Sequence, residues 1–583
     1  MAEAFRITAE DFPDRVAVRT LDDSVSMTWG ELRERVDALA GGLAALGVER
    51  GDNVALMLSN RPEFHLADIA VMTLGATPFS IYATSAPEQI AYVVGDAEAK
   101  VAIIEEAFAE PFLTARKELP GLETVIVLEG ARGDGTVAWE EIEGSNPDFD
   151  IESAWKAVGP EDLLTLIYTS GTTGPPKGVQ LVHRNLMAAV ESIEQMIQFP
   201  DASRVISWLP NAHIAERAAH HYLPIAYAMT ITCCENPREV VSYLPQVRPN
   251  WFFAVPRIWE KLKAGLEAQI AGQPDEQREP AEAALKAAIQ KVELEQAGEE
   301  VPEALAAAVA QADEKMFAGL RKTLGFDQAE AVNVGAAPTP HSVLVFFHAI
   351  GIELAELWGM SETCGSGCCN PPGKVRIGTV GPPAPGVEIT LGEDGEVLMR
   401  SDVVMTGYRN LPDQTAEALD ADGWLHTGDI GEFDDEGYLR IVDRKKELII
   451  NAAGKNMSPA NIESNLKGAS PLIGQACVIG DGRSYNTALI VLDADFAPAW
   501  AQKHGMEGAT LESLADEPAM RDAVQEGVDA ANARLARVEQ IKKFTLLRED
   551  WAPGGDELTP TMKLKRKPIG EKFSEEIEAM YSG

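Results

Sequence analysis

The chain has 583 residues, 45% hydrophobic and 24% charged, the balance of a globular protein and more than one ordinary domain holds. Asp and Glu outnumber Lys and Arg by 91 to 50, and the resulting formal charge of −41 excludes nucleic acid as a general partner. No run nears the ~20 apolar residues that span a bilayer, and the start MAEAFRITAEDF lacks the apolar core of a secretory leader; a cytosolic protein is expected, with peripheral contact to a membrane surface left open.

In chain order, Thr28-Trp29-Gly30-Glu31 reads as a capping box, in which a hydroxyl and a carboxylate three residues apart satisfy each other's backbone N–H groups. Leu32, Val36, Leu39 and Leu43 follow at helical spacing up to Gly47, predicting a helix of about four turns. Val54-Ala55-Leu56-Met57-Leu58 suits a buried strand, and 66–74 reads as the next helix. Val101-Ala102-Ile103-Ile104 and Val125-Ile126-Val127-Leu128 continue the alternation. The expected class is therefore α/β: a large N-terminal domain, 1–442, of mainly parallel sheets flanked by helices.

Within it, 263–324 is rich in Ala, Glu and Gln, with Leu285, Ile289 and Val292 on one face of an otherwise polar helix; it reads as a helical insertion. From Asp443 onward short strands such as Cys477-Val478-Ile479 and Ala488-Leu489-Ile490-Val491-Leu492 mix with helices, predicting a smaller α+β C-terminal domain, 443–583. Six cysteines (Cys233, Cys234, Cys364, Cys368, Cys369 and Cys477) fit neither a disulfide framework nor a zinc pattern and are expected as reduced thiols without a metal.

The most informative segment is Tyr168-Thr169-Ser170-Gly171-Thr172-Thr173-Gly174-Pro175-Pro176-Lys177-Gly178, which follows the apolar run Leu163-Leu164-Thr165-Leu166-Ile167. Glycines let successive N–H groups face an anion, the hydroxyls donate as well, and Lys177 adds a full charge, which together suit a phosphate. The lysine is followed by Gly178 rather than Ser or Thr, so the pattern is not that of a P-loop NTPase.

This segment resembles the phosphate-binding loop of the adenylate-forming superfamily, which includes acyl-CoA synthetases, luciferases and peptide-synthetase adenylation domains. Further matches follow in the family's order. Gly335-Ala336-Ala337-Pro338 resembles its adenine-contacting strand end; Trp358-Gly359-Met360-Ser361-Glu362-Thr363 resembles its aromatic-Gly-x-Thr-Glu segment, with Trp358 where tyrosine is usual and Ser361 where threonine is commoner. The resemblance implies stacking of Trp358 on adenine and magnesium on Glu362 and Thr172. Asp429, in Gly423-Trp424-Leu425-His426-Thr427-Gly428-Asp429, is implied as the ribose ligand, since an ionised carboxylate offers two acceptor oxygens. Asp443 is implied as the hinge and Arg444 as a nucleotide contact. Thr559-Pro560-Thr561-Met562-Lys563-Leu564-Lys565-Arg566-Lys567 resembles the segment presenting the adenylation lysine; Lys563 is the best match and Lys565 the alternative, and Met562 stands where the family commonly has glycine.

Within the superfamily, Leu209-Pro210-Asn211-Ala212-His213-Ile214-Ala215-Glu216-Arg217, Val255-Pro256-Arg257-Ile258-Trp259-Glu260-Lys261-Leu262 and the helical insertion resemble long-chain fatty-acyl-CoA synthetases. There the histidine matching His213 lies beside the substrate carboxylate; Asn211 replaces the usual leucine. The implied substrates are a fatty acid, ATP with Mg²⁺, and coenzyme A. The implied reaction gives acyl-AMP and pyrophosphate, then acyl-CoA and AMP after the C-terminal domain rotates and Gly454 and Lys455 replace Lys563 at the cleft. Two rivals share these motifs: a fatty-acyl-AMP ligase serving a carrier protein, and a ligase for another hydrophobic acid. Because ATP and coenzyme A are polyanions, Lys177, Arg444, Lys455, Lys563 and the basic run 565–567 are expected to form a local positive funnel.

Overall fold

The structure, a computed structural model, describes residues 1–130, 133, 135–169, 175–452 and 455–582. The capping box forms as expected: Glu31 N donates to Thr28 Oγ1 at 3.2 Å, Thr28 N donates to Glu31 Oε2 at 2.8 Å, and the helix Trp29–Ala45 follows. Asn53–Met57 is a strand buried on both faces, which is why its sequence is continuously apolar. The next helix is Pro62–Thr73, four residues longer at its start than 66–74, because Pro62 takes the first helical turn, where the missing N–H costs nothing.

Three parallel sheets build the larger part. The first runs Thr77–Ser80, Asn53–Met57, Val101–Ile104, Thr124–Val127, Thr136–Ala138, all parallel. The second joins Arg204–Ser207, Thr230–Cys233 and Val16–Thr20 in parallel, with Ser26–Thr28 antiparallel at its edge. The third joins Trp251–Ala254, Ala331–Val334 and Leu354–Trp358 in parallel. Val255, Gly335 and Gly359 follow directly on its strands, so three of the motifs emerge together beyond the carboxyl ends of one parallel sheet, where α/β proteins place ligands. An antiparallel pair, Leu163–Thr169 and Lys177–Val182, flanks residues 170–176, and an antiparallel sheet of Glu388–Leu391, Glu396–Arg400, Leu425–Phe433 and Leu439–Arg444 carries Asp429, Asp443 and Arg444.

The smaller C-terminal part is built on Ile473–Ile479, Asn486–Leu492 and Ile541–Leu547, backed by the helices Pro459–Ala469 and Pro518–Asn532. Its apolar residues, from Ile449 to Met580, pack in clusters of their own. A part with its own core is a domain in its own right.

The insertion is helical, but its first helix starts before 263: Pro256–Ala271 contains the whole Pro256-Arg257-Ile258-Trp259 segment. Asp275–Gln296 follows, with Val292 buried and Leu285 and Ile289 against the same core. Trp259 is fully buried, with Phe347, Phe326 and Phe252 at ring-centroid distances of 5.0, 5.5 and 5.8 Å. Among the described residues no helix is long and apolar enough to cross a membrane. Trp259→Ala is expected to destabilise the larger domain by about 3–5 kcal/mol, the cost of a large aromatic cavity, read as a lower urea midpoint in tryptophan-independent circular dichroism.

Candidate active site

Asp429 lies on the strand Leu425–Phe433, directly opposite Arg444 on Leu439–Arg444. That register sets the Arg444 guanidinium Nε 2.9 Å from Asp429 Oδ1. From the parallel sheet, the Trp358 indole N–H donates to Asp429 Oδ2 at 2.8 Å. Trp358 thus supplies a donor that the sequence pattern did not reveal, and it fixes the carboxylate proposed for the ribose. Both Trp358 and Asp429 are buried, and each carboxylate oxygen keeps a further lone pair for a hydroxyl donor. Gly367 lies against the indole, since a Cβ there would meet its ring at 2.7 Å.

Two residues beyond Gly359-Met360, Glu362 sits on the 3₁₀ turn Ser361–Thr363 and is buried. Gly359 has no room for a side chain, because its Cβ would meet the Gly365 carbonyl oxygen at 2.2 Å. Tyr408, from the short strand paired with Lys177–Val182, donates its hydroxyl to Glu362 Oε1 at 2.8 Å. Its ring lies 4.7 Å beneath the Lys177 ammonium, a cation–π contact that holds the lysine at the cleft. Thr169 pairs with Lys177 across the same hairpin. Ser170, Gly171, Thr172, Thr173, Gly174 and Gly454 lie outside the described residues.

Gly335-Ala336-Ala337-Pro338 leaves the strand Ala331–Val334 at the same end of the sheet. Gly335 is wedged between Leu357 and Phe253, and Ala336 turns the chain with φ of 69°. Glu356, on the same strand face as Trp358, was not marked by any motif, although a carboxylate inside Leu354-Ala355-Glu356-Leu357 was a visible irregularity. Burial raises it to about 7, and its carboxyl accepts the Gly378 and Thr339 N–H groups, joining the adenine-loop segment to the 376–383 loop.

His213 caps the helix Ile214–Glu216, and its Nδ1 accepts the Ala215 N–H at 3.1 Å. The proton of the neutral ring is therefore on Nε2, which is left to donate. Burial, and secondarily the charge of Lys563, lowers its pKa to about 4. The loop before it is pinned by buried groups. Glu216 accepts Ser207 Oγ at 2.6 Å and Leu209 N at 3.0 Å, while the Asn211 amide donates to the Leu58 and Ser59 carbonyls at 3.0 and 2.9 Å. Asn211, the departure from leucine, is a tether for this loop.

Asp443 is buried, and Ser458 Oγ donates to its Oδ2 at 2.5 Å while its own Oδ1 takes the Arg444 N–H. Ser458 caps the helix Pro459–Ala469, so the Asp443 carboxylate, the expected hinge, is bonded directly into the C-terminal part. Lys563 reaches the cleft from that part. It is accessible to solvent within the open cleft but ringed by protein: desolvation and Arg444 lower its pKa, opposed by Asp429, Glu362 and Glu447. Lys565 points the other way, donating to the Gly555 carbonyl at 2.7 Å, which favours Lys563. Arg566 is spent in a bidentate pair with Glu463 at 2.6 and 2.9 Å, and Lys567 is exposed near Glu571. Lys565 and Arg566 are thus turned into the C-terminal part rather than into a funnel, a correction to the expectation from sequence. Lys455 is exposed and precedes Asn456–Met457, the strand paired with Ile449–Ile450. The six cysteines are unpaired and mostly buried.

The sequence profile of AMP-binding enzymes matches residues 5–409, and that of the AMP-binding enzyme C-terminal domain matches 446–583. The chain belongs to the AMP-binding enzyme family. Within this family, a Mycobacterium tuberculosis protein named as a fatty-acid–CoA ligase, fadD11, is 48% identical over 77% of this chain and 79% of its own. The long-chain-fatty-acid–CoA ligase FadD15 of Mycobacterium bovis is 34% identical over 98% and 95%. The adenylation domain of a Mycobacterium chelonae carboxylate reductase superposes with a TM-score of 0.76 at 19% identity, covering 100% of this chain and 91% of that one. The two-part adenylate-forming fold is thereby shown.

Two predictions follow from this AMP-binding site. Met562, just before Lys563, has φ of 64°, the left-handed conformation that explains glycine at this place in the family. That conformation costs ~1–2 kcal/mol for a side-chain-bearing residue, against ~0.5–1 kcal/mol of glycine entropy, so Met562→Gly is expected to raise the unfolding midpoint of the smaller part slightly. The second concerns pH. His213 stays neutral down to about 4, and Lys563 loses its proton below the pH of an ordinary lysine. Acid-dependent exchange of pyrophosphate into ATP is expected to show no acid limb from His213 between pH 5 and 7. His213→Gln should slow it about tenfold (~1.4 kcal/mol) with an unchanged profile, whereas Lys563→Arg should move the alkaline limb upward.

Proposed function

We propose that this enzyme joins a fatty acid, with long-chain acids the favoured class, to coenzyme A at the expense of ATP, through an enzyme-bound acyl-AMP. The observation that carries this reading is the convergence of Lys563, Glu362, Asp429 and Arg444 on one cleft, in a chain whose full-length relatives are named long-chain-fatty-acid–CoA ligases.

The reading assigns the parts as follows. A carboxylate is a poor electrophile, so its oxygen must first be given a good leaving group. Trp358 and the 335–338 loop hold the adenine, and Asp429 accepts the ribose hydroxyls while Trp358 and Arg444 keep it oriented. Thr169, Ser170, Gly171, Thr173, Gly174 and Lys177 would take the phosphates, and Met360 and Ser361 are assigned to the same nucleotide site. His213 Nε2 donates to the fatty-acid carboxylate and aims its oxygen at the α-phosphorus. Lys563 meets the negative charge that grows there as pyrophosphate leaves.

No cluster of three His, Cys, Asp or Glu residues suited to a metal exists among the described residues, and Glu362 fits an ion that comes with the nucleotide, since magnesium needs only one or two carboxylates beside phosphate oxygens. Glu362 and Thr172 would hold it, and bound there it withdraws charge from the phosphates. For the second step the smaller part turns about Asp443, Lys563 withdraws, and the hairpin with Gly454 and Lys455 faces the coenzyme A thiol, which attacks the acyl carbon and expels AMP.

The test is mass spectrometry of products from the purified protein with ATP, Mg²⁺ and a series of carboxylic acids, with and without coenzyme A. The expected result is acyl-CoA with a yield maximum among long-chain acids. An acyl-adenylate that accumulates and ignores coenzyme A would replace this reading with a ligase serving a carrier protein. Lys563→Ala should cut acyl-AMP formation about 100-fold or more (~3 kcal/mol) while ATP binding by calorimetry persists.

A further inference from the structure

The helix Pro256–Ala271 has two sides with different employment. Trp259 is locked into the aromatic core, whereas Arg257 and Lys261 face the C-terminal part. Arg257 pairs with Asp493, and Lys261 donates to Asp495 Oδ2 at 2.5 Å. Both acids follow directly on the strand Asn486–Leu492. Arg238 adds to the positive field on Asp495. This contact lies on the opposite element from the adenine loop, where Ser464 Oγ meets the Pro338 carbonyl at 3.4 Å and Gly468 packs on Pro340.

We propose that Arg257 and Lys261, with Asp493 and Asp495, form a releasable clasp that positions Lys563 for acyl-AMP formation and lets it go for the transfer step. The proposal rests on the two-step reading above.

Three features support it. The first is transmission: Leu489 and Val491 of the strand preceding Asp493 share a core cluster with Leu558 and Leu564, which flank Lys563. Lys563 is also tied in its turn by Thr559 Oγ1 at 3.0 Å, so fixing the end of that strand fixes the lysine. The second is reversibility. Breaking a buried ion pair is expensive when it strands a charge. Here Arg257 keeps Glu260 at 3.0 Å on its own helix, and Asp493 keeps the Asp495 and Phe496 N–H groups at 3.0 and 2.9 Å on its Oδ1. Each side retains a partner when the domains part. The third is grading. Arg257–Asp493 is largely shielded from solvent and carries most of the strength, while Lys261–Asp495, with Asp495 70% exposed, is a weak guide that salt screens.

The experiment separates the two half-reactions. Arg257→Gln, Asp493→Asn and Lys261→Glu are measured for acid-dependent pyrophosphate–ATP exchange, and for transfer of the acyl group from supplied acyl-AMP to coenzyme A. Asp493→Asn keeps the Oδ1 acceptor of the turn, so a folding defect is not expected from lost capping. Exchange should fall about tenfold in Arg257→Gln and Asp493→Asn and a fewfold in Lys261→Glu, with transfer unchanged or faster; the swap Lys261→Glu with Asp495→Lys should restore exchange. Equal loss in both half-reactions, or no loss in either, overturns the clasp.

A readout independent of catalysis accompanies these. Spin labels at Ala307→Cys and Glu526→Cys, both exposed, report the spacing of the two parts in the presence and absence of Arg257→Gln. A distance distribution that broadens in the variant upholds the clasp even if the wild-type protein forms no acyl-AMP, which would sink the two-step reading alone. An unchanged distribution overturns the clasp whatever the activity.

Discussion

Everything proposed for the cleft depends on one buried carboxylate being held from two sides. Asp429 takes the Trp358 indole N–H on one oxygen and Arg444 on the other. Trp358 belongs to the parallel sheet that the 335–338 segment leaves, and Arg444 follows Asp443, the proposed hinge. The carboxylate therefore links the nucleotide platform to the point where the chain crosses into the smaller part. An ionised carboxylate buried without such donors would be costly, and with them it is fixed before any ligand arrives.

The protein also has to attract polyanions while carrying a charge of −41. The structure meets this locally. Lys177 is poised on the Tyr408 ring, Arg444 on Asp429, and Lys563 enters from the second part, while cations elsewhere such as Arg566 and Arg217 are consumed by buried acids. Close contacts at short range are little affected by a distant field that salt screens within about 10 Å. The cost is that a lysine brought from another domain must be held in place against Arg444, which repels it, and interdomain contacts such as Arg257–Asp493 supply that hold.

Much of this was legible beforehand. The capping box at Thr28, the buried strands and the helical insertion followed from periodicity, because each is decided by neighbours a few residues apart. The helix at Pro62 was longer than read because a proline looks like a stop signal until the helix is seen to begin on it. The sites of Glu362, Asp429, Arg444 and Lys563 followed from motif order, and their meeting in one cleft agrees with it. The Trp358–Asp429 bond carried no signal that spacing could reveal, since the partners are 71 residues apart and meet only through sheet packing.

The sequence alone therefore determined the α/β class and the family resemblance, and it named the charged residues proposed for a nucleotide. These are local properties: apolar periods, glycines where the backbone must approach closely, and a lysine beside its basic neighbours. Only the tertiary structure turned Lys565 to the Gly555 carbonyl and Arg566 to Glu463 while leaving Lys563 near Arg444, Asp429 and Glu362, and set Arg257 against Asp493. A side chain's direction across a domain boundary depends on how two separately packed cores meet, and no pattern within either segment encodes that meeting.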